Sequence, residues 1–360
     1  MSKRTLSIAA IPGDGIGPEV IDAGMEVLKA VAKRDGGFQI KSERFDWGSD
    51  RYLKKGDFLP DNALDTLRAF DAIFFGSAGD PRIPDHVTLW GLRLKICQSL
   101  DQYANVRPAR LLPGIKGPLR DVTAKQLDWV IVRENSEGEY AGAGGRVHQG
   151  LPEEVGLDIS VFTRNGVERI QRFAFELAKS RPRKKLTLVT KSNAQRHGMV
   201  FWDSVFERVK ADYPDVETDK MLVDAMTTRM VLQPESIDTV VATNLHADVL
   251  SDLAAALTGS LGIAPTGNIR PEGDAPSMFE PIHGSAFDIM GKGIANPLGA
   301  FWSGAMLLEN QGELAAAARL MQAIERVTGE GKHLPRDLGG KAGTKEVTDA
   351  VLEAIRTAND

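Results

Sequence analysis

IAAIPGDGIGPE (residues 8–19) passes from an apolar run, through three alternating glycines, into proline and glutamate. Ile8 to Ile11 reads as a strand and Pro12 to Gly17 as a tight turn. Pro18 and Glu19 open a helix, because proline has no N–H to lose there and an acid suits the positive helix end. Glycines let backbone approach an anion closely, and a helix start offers free N–H groups to hold one. The spacing is G-x-G-x-G-P, however, so the dinucleotide fingerprint G-x-G-x-x-G is absent. The unit is therefore α/β in kind but not a standard Rossmann start. Two readings of the glycines stand: an anion cradle, or a turn that is tight for steric reasons alone.

Outward from this turn, short apolar runs recur at Ala72 to Phe75, Trp129 to Val132, Leu186 to Val189 and Thr239 to Ala242. Helical patterns lie between and after them, at Glu19 to Ala32, Val167 to Ser180, Met199 to Ala211, Asp248 to Leu257, Ala300 to Glu309 and Glu313 to Val327. Strands alternating with helices predict a largely parallel sheet. A chain of 360 residues exceeds one comfortable core, so two domains are expected. The glycine-rich stretch Tyr140 to Ser160, turning β-like near Leu157, predicts an arm or a lid.

Composition removes several function classes. With 42% apolar and 26% charged residues the chain should fold compactly, and a net charge of -5 gives no overall attraction for nucleic acid or anionic lipid. The basic run Arg181 to Lys185 has no interleaved aromatics and reads as a solvated loop. No apolar run approaches the roughly 18 residues of a membrane span, and no signal-like stretch opens the chain. The single cysteine, Cys97, cannot form an internal disulfide, which suits the cytoplasm.

The chemistry-bearing residues are acidic and guanidinium groups. Asp248 and Asp252 are four residues apart, so on a helix their carboxylates share a face. Like charges so placed destabilise by a few tenths of a kcal/mol unless neutralised, and a divalent cation with open positions would do that. The alternative is that acids simply favour a helix start. His246 falls off that face and reads as a local hydrogen-bonder. Arg107 and Arg133 sit at strand or loop ends, suited to carboxylate binding, although for either one alone a surface salt bridge is the commoner reading.

The ordered set IPGDGIGPEV, YANVRP, VRENSEGEY, VTKSN, VDAM, HADVLSDLAAALTGSLG and FEPIHGSAFDIMGKGIANP resembles the β-decarboxylating dehydrogenases, which include enzymes acting on isopropylmalate, isocitrate, tartrate and D-malate. The resemblance runs from about residue 8 to 310. It implies a two-domain α/β, isopropylmalate dehydrogenase-like fold, with 1–103 and 258–360 forming a cofactor domain. Residues 104–257 would form the substrate, metal and dimerisation domain, with the arm near 141–162. Homodimers with shared active sites are implied as well.

By motif position, Arg107 and Arg133 would hold the substrate carboxylate and Tyr140 would lie beside the reacting carbons. Lys191 and Asp224 match the pair given by the other subunit, with Asp224 joining Asp248 and Asp252 around Mn2+ or Mg2+; K+ is an admitted activator. Ile11, Gly76, Asn193 and Glu280 match cofactor positions. So do His283, Gly284, Ser285 and Ala286 around adenine, then Asp288, Ile289 and Asn296. NADP-using relatives carry lysine and tyrosine where this chain has Asp288 and Ile289, so the resemblance implies NAD. Cys97 stands where isopropylmalate and isocitrate relatives carry arginine, and packing is the expected role for it. Arg93, one helical turn earlier, could extend toward the substrate. The segment His86 to Arg93 lacks a leucine pair for an isopropyl group and resembles the tartrate and D-malate branch. A small 2-hydroxy diacid is therefore expected. Isopropylmalate or isocitrate oxidation, and a non-catalytic regulatory subunit of the same fold, are the alternatives.

Overall fold

The computed structural model describes residues 3–358, and the chain divides into two compact units. One unit gathers the chain up to Gln102, residues 110–124 and the chain from Ala255 onward; the other holds residues 103–109 and 125–254. Residues 110–124, expected with the substrate domain, thus lie with the unit that contains both chain ends. Among the described residues no helix is long and apolar enough to cross a membrane.

In the first unit, strand Arg4–Gly13 pairs in parallel with Phe38–Arg44 on one side and Ala72–Ser77 on the other. Ser277–Pro281 extends the sheet in parallel beside Ala72–Ser77, and Pro265–Ile269 runs antiparallel to it. Every residue of Ala72–Ser77 is buried, as expected of an inner strand covered on both faces. Cys97 is wholly enclosed in a core with Ile11, Phe58, Phe75, Leu92 and Ile96, which bears out its packing role.

The glycine turn resolves toward the steric reading. Gly13 (φ +68°) is so close to the next strand that a Cβ would stand 2.0 Å from the Ser77 carbonyl oxygen. A Cβ on Gly15 (φ +55°) would stand 1.9 Å from that of Ser285. The backbone N–H groups of Asp14 and Ile16 donate to those same two carbonyls at 2.9 and 2.8 Å. The turn is a clamp that fastens the end of one strand and the loop carrying Ser285. Helix Gly17–Asp35 then starts on Pro18 and Glu19, and ends at the left-handed Gly36.

In the second unit, Thr239–Ala242 lies in parallel between Asp128–Glu134 and Lys185–Thr190, and Glu217–Leu222 completes one edge. Ala104–Arg110 follows Asp128–Glu134 in the strand order. Helix Arg164–Ser180 begins at Thr163, whose hydroxyl accepts the Gly166 N–H. The expected arm is an antiparallel hairpin, Gly138–Val147 with Val155–Val161, and it leaves Val147, Leu157 and Ile159 exposed. Two arginines of the basic run are bound to their own chain, while Lys184 stays exposed as expected of a loop. Arg181 is paired with Asp238, and Arg183 donates to the carbonyls of Glu235, Asp128 and Ile237.

Candidate active site

Three side chains from different strands of the second unit meet on one carboxylate. Arg107 lies on Ala104–Arg110; its Nε donates to Asn105 (2.8 Å), and its Nη1 donates to Ser251 Oγ (2.7 Å) and Asp248 Oδ1 (3.2 Å). Arg133 lies on Asp128–Glu134; its Nε donates to Asn244 Oδ1 at 2.9 Å and its Nη1 to Asp248. Its guanidinium carbon stands 5.2 Å from the Tyr140 ring centre, a cation–π contact. The Tyr140 hydroxyl donates to the other Asp248 oxygen at 3.1 Å. Helix Asn244–Leu257 carries Asp248 and, one turn on, Asp252. Burial holds the Asp252 carboxyl above the usual range; the Arg107 guanidinium opposes that shift and the Asp248 charge adds to it.

Lys191 and Asp224 form a separate pair, with Nζ 2.5 Å from the carboxylate, and this hydrogen bond holds Asp224 below its ordinary value. Within one chain Asp224 therefore stands with Lys191. Among the described residues no three His, Cys, Asp or Glu side chains gather to hold a metal. The donors on the helix are nevertheless carboxylate oxygens one turn apart, the chemistry that suits Mg2+ or Mn2+. A cation beside the desolvated Asp252 would relieve the repulsion from Asp248 that raises it. His246 is buried; desolvation pushes its imidazole down, the Lys191 charge adds to that, and Glu139 opposes it.

Two acids escaped the sequence reading because they look like loop surface in ENSEGEY. Glu134 is buried, and burial pushes its carboxyl up to about 7 although it accepts the N–H groups of Ser136 and Glu137. Glu139 reaches the start of the helix that bears Asp248.

The residues expected at the cofactor fall mostly in the first unit. His283 Nδ1 lies 2.9 Å from the Gly284 carbonyl oxygen, and burial pushes its imidazole down. Gly284 and Ala286 both take positive φ, of 59° and 39°, and shape the loop that ends in the turn Phe287–Ile289 with Asp288 exposed. Ser285 is bound to the glycine turn through its carbonyl, as above. Asn296 donates to Asp337 at 2.9 Å and accepts the Leu298 N–H. Ile11 is fully buried in the core, and Gly76 packs so closely that a Cβ would stand 2.1 Å from the Pro12 carbonyl oxygen. Glu280 is buried and accepts from Arg93 Nε (2.7 Å) and Asn268 Nδ2 (2.8 Å). Arg93 ends a π-helical turn, Leu89–Arg93, and its Nη2 also donates to Asn268 Oδ1 at 3.3 Å. Asn193 belongs to the second unit, exposed on the turn after Lys191.

The isocitrate/isopropylmalate dehydrogenase family model matches residues 7–351. A probable tartrate dehydrogenase/decarboxylase of Agrobacterium vitis is 65% identical to this chain over 99% of each. The D-malate dehydrogenase [decarboxylating] of Escherichia coli (strain K12) is 48% identical, covering 98% of this chain and 99% of that one. Among solved structures, an isocitrate dehydrogenase from Methylococcus capsulatus matches with a TM-score of 0.88 at 38% identity, covering 98% of this chain and 100% of that one.

Proposed function

The chain belongs to the isocitrate/isopropylmalate dehydrogenase family, and from that premise we propose that it oxidises D-malate or tartrate with NAD and a divalent metal, releasing CO2. It is an enzyme of oxidative decarboxylation acting on a small 2-hydroxy diacid. The observation that carries the reading is the convergence of Arg107, Arg133 and Tyr140 on Asp248, one helical turn from Asp252.

Arg107 and Arg133 hold a substrate carboxylate, each with a second nitrogen fixed by Asn105 or Asn244 so that the fork is preorganised. Asp248 and Asp252 would hold Mn2+ or Mg2+, with K+ as an activator on the strength of the family resemblance alone. When bound, the metal would supply Lewis-acid stabilisation of negative charge on the substrate oxygen, and NAD would supply the hydride acceptor. With Asp224 drawn off to the metal, Lys191 would lose the carboxylate that keeps it an ammonium, and its neutral amine would receive the hydroxyl proton, while the Tyr140 hydroxyl would deliver a proton to the carbon that has lost CO2. The exposed carboxylate of Asp288 repels a 2′-phosphate and so favours NAD over NADP.

The arrangement calls for a second copy. Val200, Val231, Leu232 and Val249 are exposed apolar side chains on helices of the second unit, and the hairpin adds Leu157 and Ile159. A homodimer would cover them and bring the partner's Lys191 and the partner's Asp224 to Asp248 and Asp252. The lone, buried Cys97 fits residence in the cytoplasm. A silent regulatory role is disfavoured because Arg133, Tyr140, Lys191 and the three aspartates are all retained. The test is to follow NADH and CO2 together from D-malate with Mn2+. Equal amounts of both, abolished by EDTA, support the reading; no NADH from any diacid overturns it.

A further inference from the structure

Glu139 directly precedes Tyr140 in the strand Gly138–Val147, and its carboxylate faces the start of helix Asn244–Leu257. One oxygen accepts the Thr243 hydroxyl at 2.8 Å and the other the Leu245 backbone N–H at 3.1 Å. The N–H groups of a first helical turn have no partner inside the helix, and a carboxylate at that positive end makes a charge-assisted bond. Thr243 passes the connection on, since its hydroxyl also accepts the His246 N–H at 3.4 Å. Alongside, Asn244 Nδ2 donates to the Glu137 carbonyl at 3.3 Å. Strand and helix are thus stitched together on one side of Tyr140, whose hydroxyl then reaches Asp248 one turn along the same helix at 3.1 Å.

We propose that Glu139 is a positioning residue for Tyr140: its two bonds to Thr243 and Leu245 set the register between strand and helix, and hence where the phenol oxygen stands. This rests on the reading of Tyr140 as the proton donor. Glu139 touches neither substrate nor metal in this account, so its removal acts on turnover through Tyr140 and leaves ligand affinities in place. Misplacing a reacting group by about 1 Å can cost roughly a hundredfold in rate, so a loss of about tenfold to a hundredfold is expected.

A double-mutant cycle tests it. Glu139→Ala should lower kcat with D-malate by about tenfold or more, while KM and the Mn2+ dissociation constant, read by electron paramagnetic resonance, stay within about threefold. In a Tyr140→Phe background the same change should alter kcat by less than about twofold. Glu139→Gln keeps one acceptor and should fall between, and it carries the same cycle if the alanine variant does not fold. An equal loss of kcat in both backgrounds, an unchanged kcat, or a weakened Mn2+ affinity overturns the proposal. Failure of the underlying reading looks different: wild-type protein makes no NADH, or Tyr140→Phe retains full turnover.

Discussion

Replacing Asp248 by asparagine removes the carboxylate on which Arg107 and Arg133 converge. Their side chains are 7% and 3% exposed, while that of Asp248 is 34% exposed. Breaking a buried ion pair from one side destabilises by about 3–5 kcal/mol, but the solvent that reaches Asp248 screens part of this. Asparagine also keeps an oxygen for Tyr140 or one arginine. A net loss of about 2 kcal/mol is the working figure, which for a chain of this size is a fall in Tm of a few degrees. The informative part is the rescue. If the two arginines form the carboxylate site, a dicarboxylate such as oxalate or malonate supplies the missing anion. At about 100 times its Kd it would return about 2.7 kcal/mol. Thermal unfolding in EDTA, with and without the anion, is the assay: Asp248→Asn should gain several degrees more than the wild type. The same gain in both proteins would refute the assignment of Arg107 and Arg133 as the carboxylate site.

Glu134 predicts a pH dependence of stability. Burial raises its carboxyl from 4.5 to about 7, so between those values the folded chain binds more protons than the unfolded one. This contribution, roughly 3 kcal/mol, is complete below about pH 4.5 and is lost as pH rises through about 7. Urea midpoints should therefore fall less between pH 5 and 8 for Glu134→Gln than for wild type, and identical slopes would contradict the burial argument. Asp252→Asn should abolish Mn2+-dependent turnover, and an unchanged Mn2+ titration would count against its role as ligand. Asp288→Lys should move coenzyme preference toward NADP; unaltered NAD selectivity would show that this carboxylate does not read the ribose.

What was legible in the sequence follows from range. Inner strands such as Ala72–Ser77 are apolar on both faces and stand out as runs, whereas the edge strands Phe38–Arg44 (FQIKSER) and Glu217–Leu222 (ETDKML) carry charges and went unread. The glycine turn was recognisable, but its reason was not, because Ser77 and Ser285 are distant in sequence. Arg107, Arg133 and Asp248 were each identifiable as chemistry-bearing. Their common meeting point joins residues 141 and 115 positions apart, which no local spacing encodes. Glu134 and Glu139 were missed because a glutamate beside glycine and serine looks solvated until its backbone partners are known. Arg183 shows the converse, a cation in an apparently free basic run that is consumed by carbonyls of its own chain.

The central claim is that this site turns over a four-carbon 2-hydroxy diacid. It is tested most directly by kcat/KM for D-malate, tartrate, isocitrate and 3-isopropylmalate, measured side by side with NAD and Mn2+. D-malate or tartrate should exceed 3-isopropylmalate by about 100-fold or more, the scale on which a pocket without room for a branched apolar group discriminates. A higher kcat/KM for 3-isopropylmalate or isocitrate would contradict it.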